Sequence, residues 1–236
     1  MTMLTRDIAT WEEFRAILLR FSRLDRLTRE QWWFRGQPDA KHALLATVDR
    51  GRSFKSDGER QDFIREIIEE FKREVIYLGG ADRVPDGPAL ELLARHHGLP
   101  SPLLDWTRSP YVAACFAFMD HSNATHVSVY ACRISQIDEA HLTEMSSAIE
   151  LVQKPEHLKF NRRAVQQRAV FMRIARFGRT VEDLLGDSLT QFRLPMSERD
   201  VALNDLDQML VNPTTLFYDL DGVARTVASR YTKGTQ

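Results

Sequence analysis

The stretch Trp32-Trp33-Phe34-Arg35-Gly36-Gln37-Pro38-Asp39 (WWFRGQPD, 32–39) puts a guanidinium at the end of an aromatic run and turns sharply after it. Aromatic residues favour a half-buried strand, and Gly36 and Pro38 stop it. A short strand over 31–36 is therefore expected, with Arg35 at the edge of something buried. Two roles are open for that arginine. It ends an edge strand and pairs with an acid such as Asp39, or it clamps an anion. In the second case Gly36 opens the backbone so that a phosphate can approach.

Outward from this strand the chain alternates helical and extended pieces. Residues 10–24 read as an amphipathic helix, with Thr10 as N-cap and Trp11, Phe14, Leu18 and Phe21 on one face. HALLATVDRG (42–51) reads as a second extended piece. Residues 58–78 repeat Phe63, Ile67, Phe71 and Val75 every four positions and predict a long helix. A turn-rich loop leads to a short helix, Ala89–His97, closed by Gly98. The prolines of LPSPLLDWT (99–107) forbid helix. SPYVAACFAFM (109–119) then predicts a buried helix, with Ser109 as cap and Pro110 at its first position.

THVSVYACRI (125–134) and RAVFMRI (168–174) read as strands, and 135–160 as irregular with helical patches. Two terminal helices, 197–211 and 213–231, part at Asn212-Pro213. Few strands separated by long helical insertions argue against a regular βαβ sheet. The expectation is one α+β domain over 1–236, with its core in about 30–180.

The 236 residues are 43% hydrophobic and 28% charged, enough to bury a core. A formal net charge of −1 gives no overall field toward nucleic acid or membrane. Arginine outnumbers lysine 26 to 6. It is the side chain for bidentate phosphate contacts, although GC-rich coding sequence gives the same bias. Cys115 and Cys132 are the only cysteines, without a CxxC, which argues against a disulfide framework and a structural zinc site. The N-terminus lacks a signal-peptide pattern, and no apolar run approaches the roughly 18–20 residues of a membrane span. A soluble, cytoplasmic protein is expected.

Asp105 in LLDWT (103–107) lies between Leu104 and Trp106, where a carboxylate is costly unless paired. Either it caps the helix near Ser109, or it joins the Thr107 hydroxyl in recognising phosphate or ribose before a helix N-terminus. His96 and His97 adjoin at a helix end without further ligands at metal spacing, so no metal is expected. GxSxG, the P-loop and GxGxxG are absent. NRRAVQQRAVFMRIARFGR (161–179) holds six arginines, among them Arg162, Arg163, Arg168 and Arg173. They form a solvated face or a surface for nucleic acid or an acidic partner. Gln166 and Gln167 are read as entering the strand, one of them turned toward whatever Arg35 faces.

FRGQ (34–37), HHGLPSPLLDWTRSPYVAACFAF (96–118), NRRAVQQRAVF (161–171) and LFYDLDGVAR (216–225) together resemble the successive blocks of the bacterial FRG domain, in order from about residue 30 to 228. More distantly, the layout is similar to ADP-ribosyltransferases of the Arg–Ser–Glu type. The shared features are an aromatic–Arg–Gly strand, a hydroxyl-bearing strand end before an apolar helix, and a strand opening with Glu or Gln. This resemblance implies a split β core with long helical insertions and a C-terminal helical pair, and NAD as the dinucleotide. Arg35 would be the NAD-binding arginine and Thr107 the hydroxyl position. Gln167 stands where those enzymes place glutamate. Phe34, Gly36, Gln37, His96, Trp106 and Arg108 would surround the dinucleotide.

Glutamine accepts a hydrogen bond but cannot ionise, which leaves Asp105 as the alternative carboxylate. The activity implied is transfer of ADP-ribose to a macromolecule, as a bacterial toxin or anti-phage effector with a neutralising antitoxin. The arginine-rich segment tilts the acceptor toward nucleic acid over protein. The alternative is a catalytically silent nucleotide- or partner-binding module. Departures from the FRG pattern are Arg95 for a usual glutamine, His97 for tyrosine, Ser101-Pro102 for Thr-Arg, and Ala169 for glycine.

Overall fold

The computed structural model describes residues 2–28, 31–80, 84–120, 123–134, 148–152 and 162–231. In chain order they form β1 (Leu4–Asp7), α1 (Trp11–Thr28), β2 (Trp32–Gln37), α2 (Asp57–Tyr77), α3 (Pro88–His96), β3 (Leu103–Thr107), α4 (Pro110–Phe118), β4 (His126–Arg133) and β5 (Ile149–Val152). There follow α5 (Arg162–Gln166), β6 (Ala169–Ile174), α6 (Val181–Leu185), β7 (Leu189–Pro195), α7 (Arg199–Gln208), α8 (Pro213–Phe217) and α9 (Leu220–Tyr231). The architecture is α+β, as expected.

The seven strands make one sheet in the order β1-β7-β4-β2-β3-β6-β5. Every neighbouring pair is antiparallel except β1 and β7, which run parallel. Its centre is unusual. β2 follows β4 from Trp32↔Arg133 to Gln37↔Ser128, and β3 follows β6 from Leu103↔Arg173 to Thr107↔Ala169. Between β2 and β3 a single pair, Phe34↔Thr107, joins the two halves. The sheet therefore parts just where Arg35 sits.

Strand alternation sends Phe34 and Trp33 to opposite faces. Phe34 joins Trp11, Phe14, Leu18, Phe118 and Phe192 beneath α1, α4 and α7. Trp33 joins Leu44, Val48, Trp106, Tyr130 and Met172 on the other face. α4 is apolar all round because it is buried nearly all round: Ala113, Ala114, Cys115, Ala117 and Phe118 are all inaccessible. Ser109 caps it by accepting from the Val112 N–H (3.3 Å), with Pro110 at the first position. Thr10 caps α1 in the same way, accepting from the Glu13 N–H (3.2 Å).

Gly36 has a different purpose from the one its sequence suggests. A Cβ there would lie 2.0 Å from the Ala113 carbonyl oxygen and 2.6 Å from the Ala117 nitrogen. The glycine seats α4 on β2 rather than clearing a path for a phosphate.

Several elements depart from expectation. The 42–51 piece buries Leu44, Ala46, Val48 and Asp49 but joins no ladder. Its Leu44 N–H donates to the Glu182 carboxylate (2.9 Å), and its Val48 N–H to the Ser101 carbonyl (3.2 Å). Within it Thr47–Asp49 form a 3-10 turn. From this turn Asp49 forms a fully buried ion pair with Arg60, with N–O distances of 2.7 and 2.9 Å. Residues 149–152 within the stretch read as irregular are strand β5, while 135–147 and 153–161 lie outside the described residues. The expected helix 213–231 is two, because Tyr218 takes the left-handed conformation (φ 53°) after α8. β1 and β7 were not anticipated. Among the described residues no helix is long and apolar enough to cross a membrane.

Candidate functional site

A cleft of about 590 Å³ opens where β2 and β3 part. α3 contributes Leu92, Arg95 and His96 to it, α4 Phe116, α5 Arg163 and Ala164, and α8 Phe217. Arg35, Asp105, Thr107 and Gln167 all line this cleft, so the four catalytic candidates converge. So do Phe34, Gly36, Gln37, His96 and Trp106; Arg108 does not, and is exposed beside it.

Arg35 bridges the gap between the strands, donating from Nη1 to the Asp105 carbonyl oxygen (2.5 Å). Its Nε is buried with no partner. The expected alternative, an ion pair with Asp39, is not made: Asp39 accepts from the Lys41 N–H (2.9 Å) instead. Burial lowers the Arg35 guanidinium to about 10, Asp105 opposing and Arg95 and Arg50 adding to the fall. It remains charged at neutral pH.

Asp105 does not cap α4. Its carboxylate receives a bidentate pair from Arg95, Nε to Oδ1 at 2.8 Å and Nη2 to Oδ2 at 2.5 Å. Loss of water works against the carboxylate, although 52% of the side chain remains open to the cleft. Arg95 and then Arg35 outweigh that cost and hold the carboxyl below its usual range. Arg95 is in turn raised: burial works against its charge, but Asp105 more than offsets it. Arg95, one of the residues that depart from the FRG pattern, is thus the one that fixes Asp105.

Thr107 and Gln167 are largely committed within the protein. The Thr107 hydroxyl donates to the Gln167 carbonyl (2.7 Å) and accepts from the Ser109 N–H (3.0 Å). Gln167 lies in a turn after α5, not in the strand, and its side-chain amide donates to the Leu216 carbonyl (3.2 Å). Arg168 follows with φ 48°, and β6 begins only at Ala169. Gln37 is buried and its amide reaches the His42 carbonyl at 3.4 Å.

Around the rim, Arg163 pairs with Asp219 and lies 5.0 Å from the centre of the Phe217 ring. Arg225 lies 5.3 Å from the same ring and pairs with Asp120 (3.3 Å). His96 is half-buried; burial lowers its pKa, and the charges of Arg163 and His97 push the same way. It is neutral at pH 7. Arg50 also lines the cleft, its Nε donating to the Leu45 carbonyl (3.2 Å).

The arginines expected to form one basic surface are divided. Arg163 faces the cleft. Arg173 is spent on Glu91 (3.0 Å) and Glu150 (2.8 Å). Arg168 is exposed on its turn, and Arg162 opens α5 with its side chain outside the described set. Arg50, Asp120 and Phe217 were not singled out from the sequence. Phe217 lies in a quoted block, but nothing in residue spacing marks the other two.

Residues 30–126 match the family model described as FRG domain. That span supplies β2, α3, β3 and α4, and with them Arg35, Arg50, Arg95, Asp105 and Thr107. The FRG match stops short of the later blocks at 161–171 and 216–225, so the wall carrying Arg163, Gln167 and Phe217 lies beyond it. No curated protein and no solved structure matches the chain at a significant level.

Proposed function

We propose that the cleft binds NAD and that the protein transfers its ADP-ribosyl group to a macromolecule. The observation that carries this reading is the convergence of Arg35, Thr107 and Gln167 on one cleft at the one-rung split of the sheet. A cleft of about 590 Å³ falls within the range of small-molecule sites, and the charged Arg35 that lines it suits an anion. Phe116 and Phe217 offer apolar surface near the charged floor. In the transfer, the bond between nicotinamide and ribose breaks and nicotinamide leaves with the electron pair. The acceptor nucleophile then bonds the oxocarbenium-like carbon and releases its proton to water, as in glycoside chemistry.

The residues divide the work unevenly. Arg35 holds the pyrophosphate, and Thr107 offers its remaining acceptor site to ribose. Gln167 accepts a hydrogen bond through its side-chain oxygen but cannot take a proton. Asp105 faces the cleft as a carboxylate that Arg95 makes a weak base. The acceptor must therefore arrive already nucleophilic.

A second reading, a silent nucleotide-binding module, is favoured by two specific observations. The amide of Gln167 is tied to Leu216, and Asp105 is neutralised by Arg95. Radiolabelled NAD incubated with the protein and separate pools of cellular protein, RNA and DNA distinguishes the two. Label entering one pool, and absent with Arg35→Ala, is the expected result. NAD binding by calorimetry without label in any pool would establish the silent module instead.

A further inference from the structure

The charges lining the cleft do not cancel. Arg95 is held by Asp105 and Arg163 by Asp219, while Asp120 is engaged by Arg225. Two lining arginines remain, Arg35 and Arg50, and among the described residues neither makes an ion pair. They are close enough for the charge of Arg50 to count against that of Arg35.

Arg50 is exposed at the cleft and carried on a fixed turn. Its single side-chain bond, from Nε to Leu45, leaves both terminal amino groups of the guanidinium without a partner among the described residues. The turn that carries it is fixed from two sides. Asp49, the preceding residue, is locked to Arg60 in the buried bidentate pair. Thr47 accepts from the Ser101 N–H (3.0 Å) and donates to the Ser101 carbonyl (3.2 Å). A buried ion pair costs desolvation that an apolar pair avoids. What this one supplies is a fixed turn, so that less backbone entropy is lost when the arginine it carries grips a ligand.

We infer that Arg50 is the second cation of the anion seat begun by Arg35, and that together they take a diphosphate rather than a single phosphate. One phosphate satisfies one guanidinium fork; two forks flanking a common space match two linked phosphates. This rests on the nucleotide reading above and names the part of the ligand that the seat holds.

The test is calorimetric titration of the full chain with inorganic pyrophosphate and, separately, inorganic phosphate at one ionic strength. Arg50→Ala, Arg50→Lys and Arg35→Ala are compared with wild type, and Arg20→Ala, an exposed arginine of α1, controls for net charge. Pyrophosphate is expected to bind wild type at least about tenfold tighter than phosphate. Arg50→Ala should erase most of that preference, Arg50→Lys should restore part, and Arg20→Ala should change nothing. Equal pyrophosphate affinity in Arg50→Ala and Arg20→Ala, or no pyrophosphate binding to wild type, overturns the inference. The two readings fail separately. Arg50-dependent pyrophosphate binding without NAD binding or label transfer sinks the transferase and leaves the seat. Transfer that is indifferent to Arg50→Ala does the opposite.

Discussion

At Asp105 the side chain and the backbone do different things. The carbonyl oxygen accepts from Arg35 and so ties β3 to β2, while the carboxylate takes the fork of Arg95. Because Arg95 holds the carboxyl below its usual value, the pair stabilises the folded state when the acid is ionised. The sign follows. The contribution is fully present above the unfolded-state value of about 3.9 and is lost as pH falls through the lower folded value. Asp105→Asn should therefore be less stable than wild type at neutral pH, with the gap closing below about pH 4. Urea unfolding from pH 3 to 7 measures it, and two curves that stay parallel across that range would refute the ion pair. The effect will be modest, since half of the carboxylate side chain is open to solvent. Arg35 was legible because an aromatic run makes its burial plain. The partner of the Asp105 carboxylate was not, because Arg95 and Asp105 meet only through the packing of α3 beside β3, which spacing does not encode.

The elements that sequence reading recovered are those whose own pattern decides them. The α2 repeat and the Ser109-Pro110 cap are local, and the structure places both where the pattern does. Those it missed depend on distant partners. β1 is four exposed residues, Leu4–Asp7, that become a strand only by lying parallel to β7, far along the chain. HALLATV looks like a strand because it is apolar, yet its backbone groups are satisfied by Ser101, Glu182 and Val181. The α4–β2 contact carries the clearest consequence. With the Ala113 carbonyl 2.0 Å from where a Cβ would stand, and backbone rather than side chain in the way, Gly36→Ala must push the helix off the strand. A loss of about 3 kcal/mol is expected. Denaturant titration would show it, and a midpoint within error of wild type would mean that α4 does not sit on β2 as described.

Over the whole molecule, the sheet is two halves hinged on one rung, antiparallel throughout except for β1 and β7. α+β was readable from helices interleaved with few strands; the parting of β2 from β3 was not, since no residue pattern states which two strands fail to pair. The half containing β4 and β7 is knit by a seven-pair ladder from His126↔Pro195 to Cys132↔Leu189, whereas the centre has only Phe34↔Thr107 and the Arg35 bond. A ligand seated between Arg35 and the α5 wall touches both halves, so its binding energy acts where the sheet is weakest. Two results are expected on saturation with pyrophosphate or NAD. Stability rises by about 2.7 kcal/mol at a hundred times Kd, as linkage requires. The slowing of amide exchange is largest in β2 and β3 near the rung, and small in the β4–β7 ladder, which is already protected. Arg35→Ala should lose both responses and, with its bridge to Asp105 gone, unfold at slightly lower denaturant even without ligand. Uniform protection across all seven strands would instead place the ligand away from the split, and with it the site.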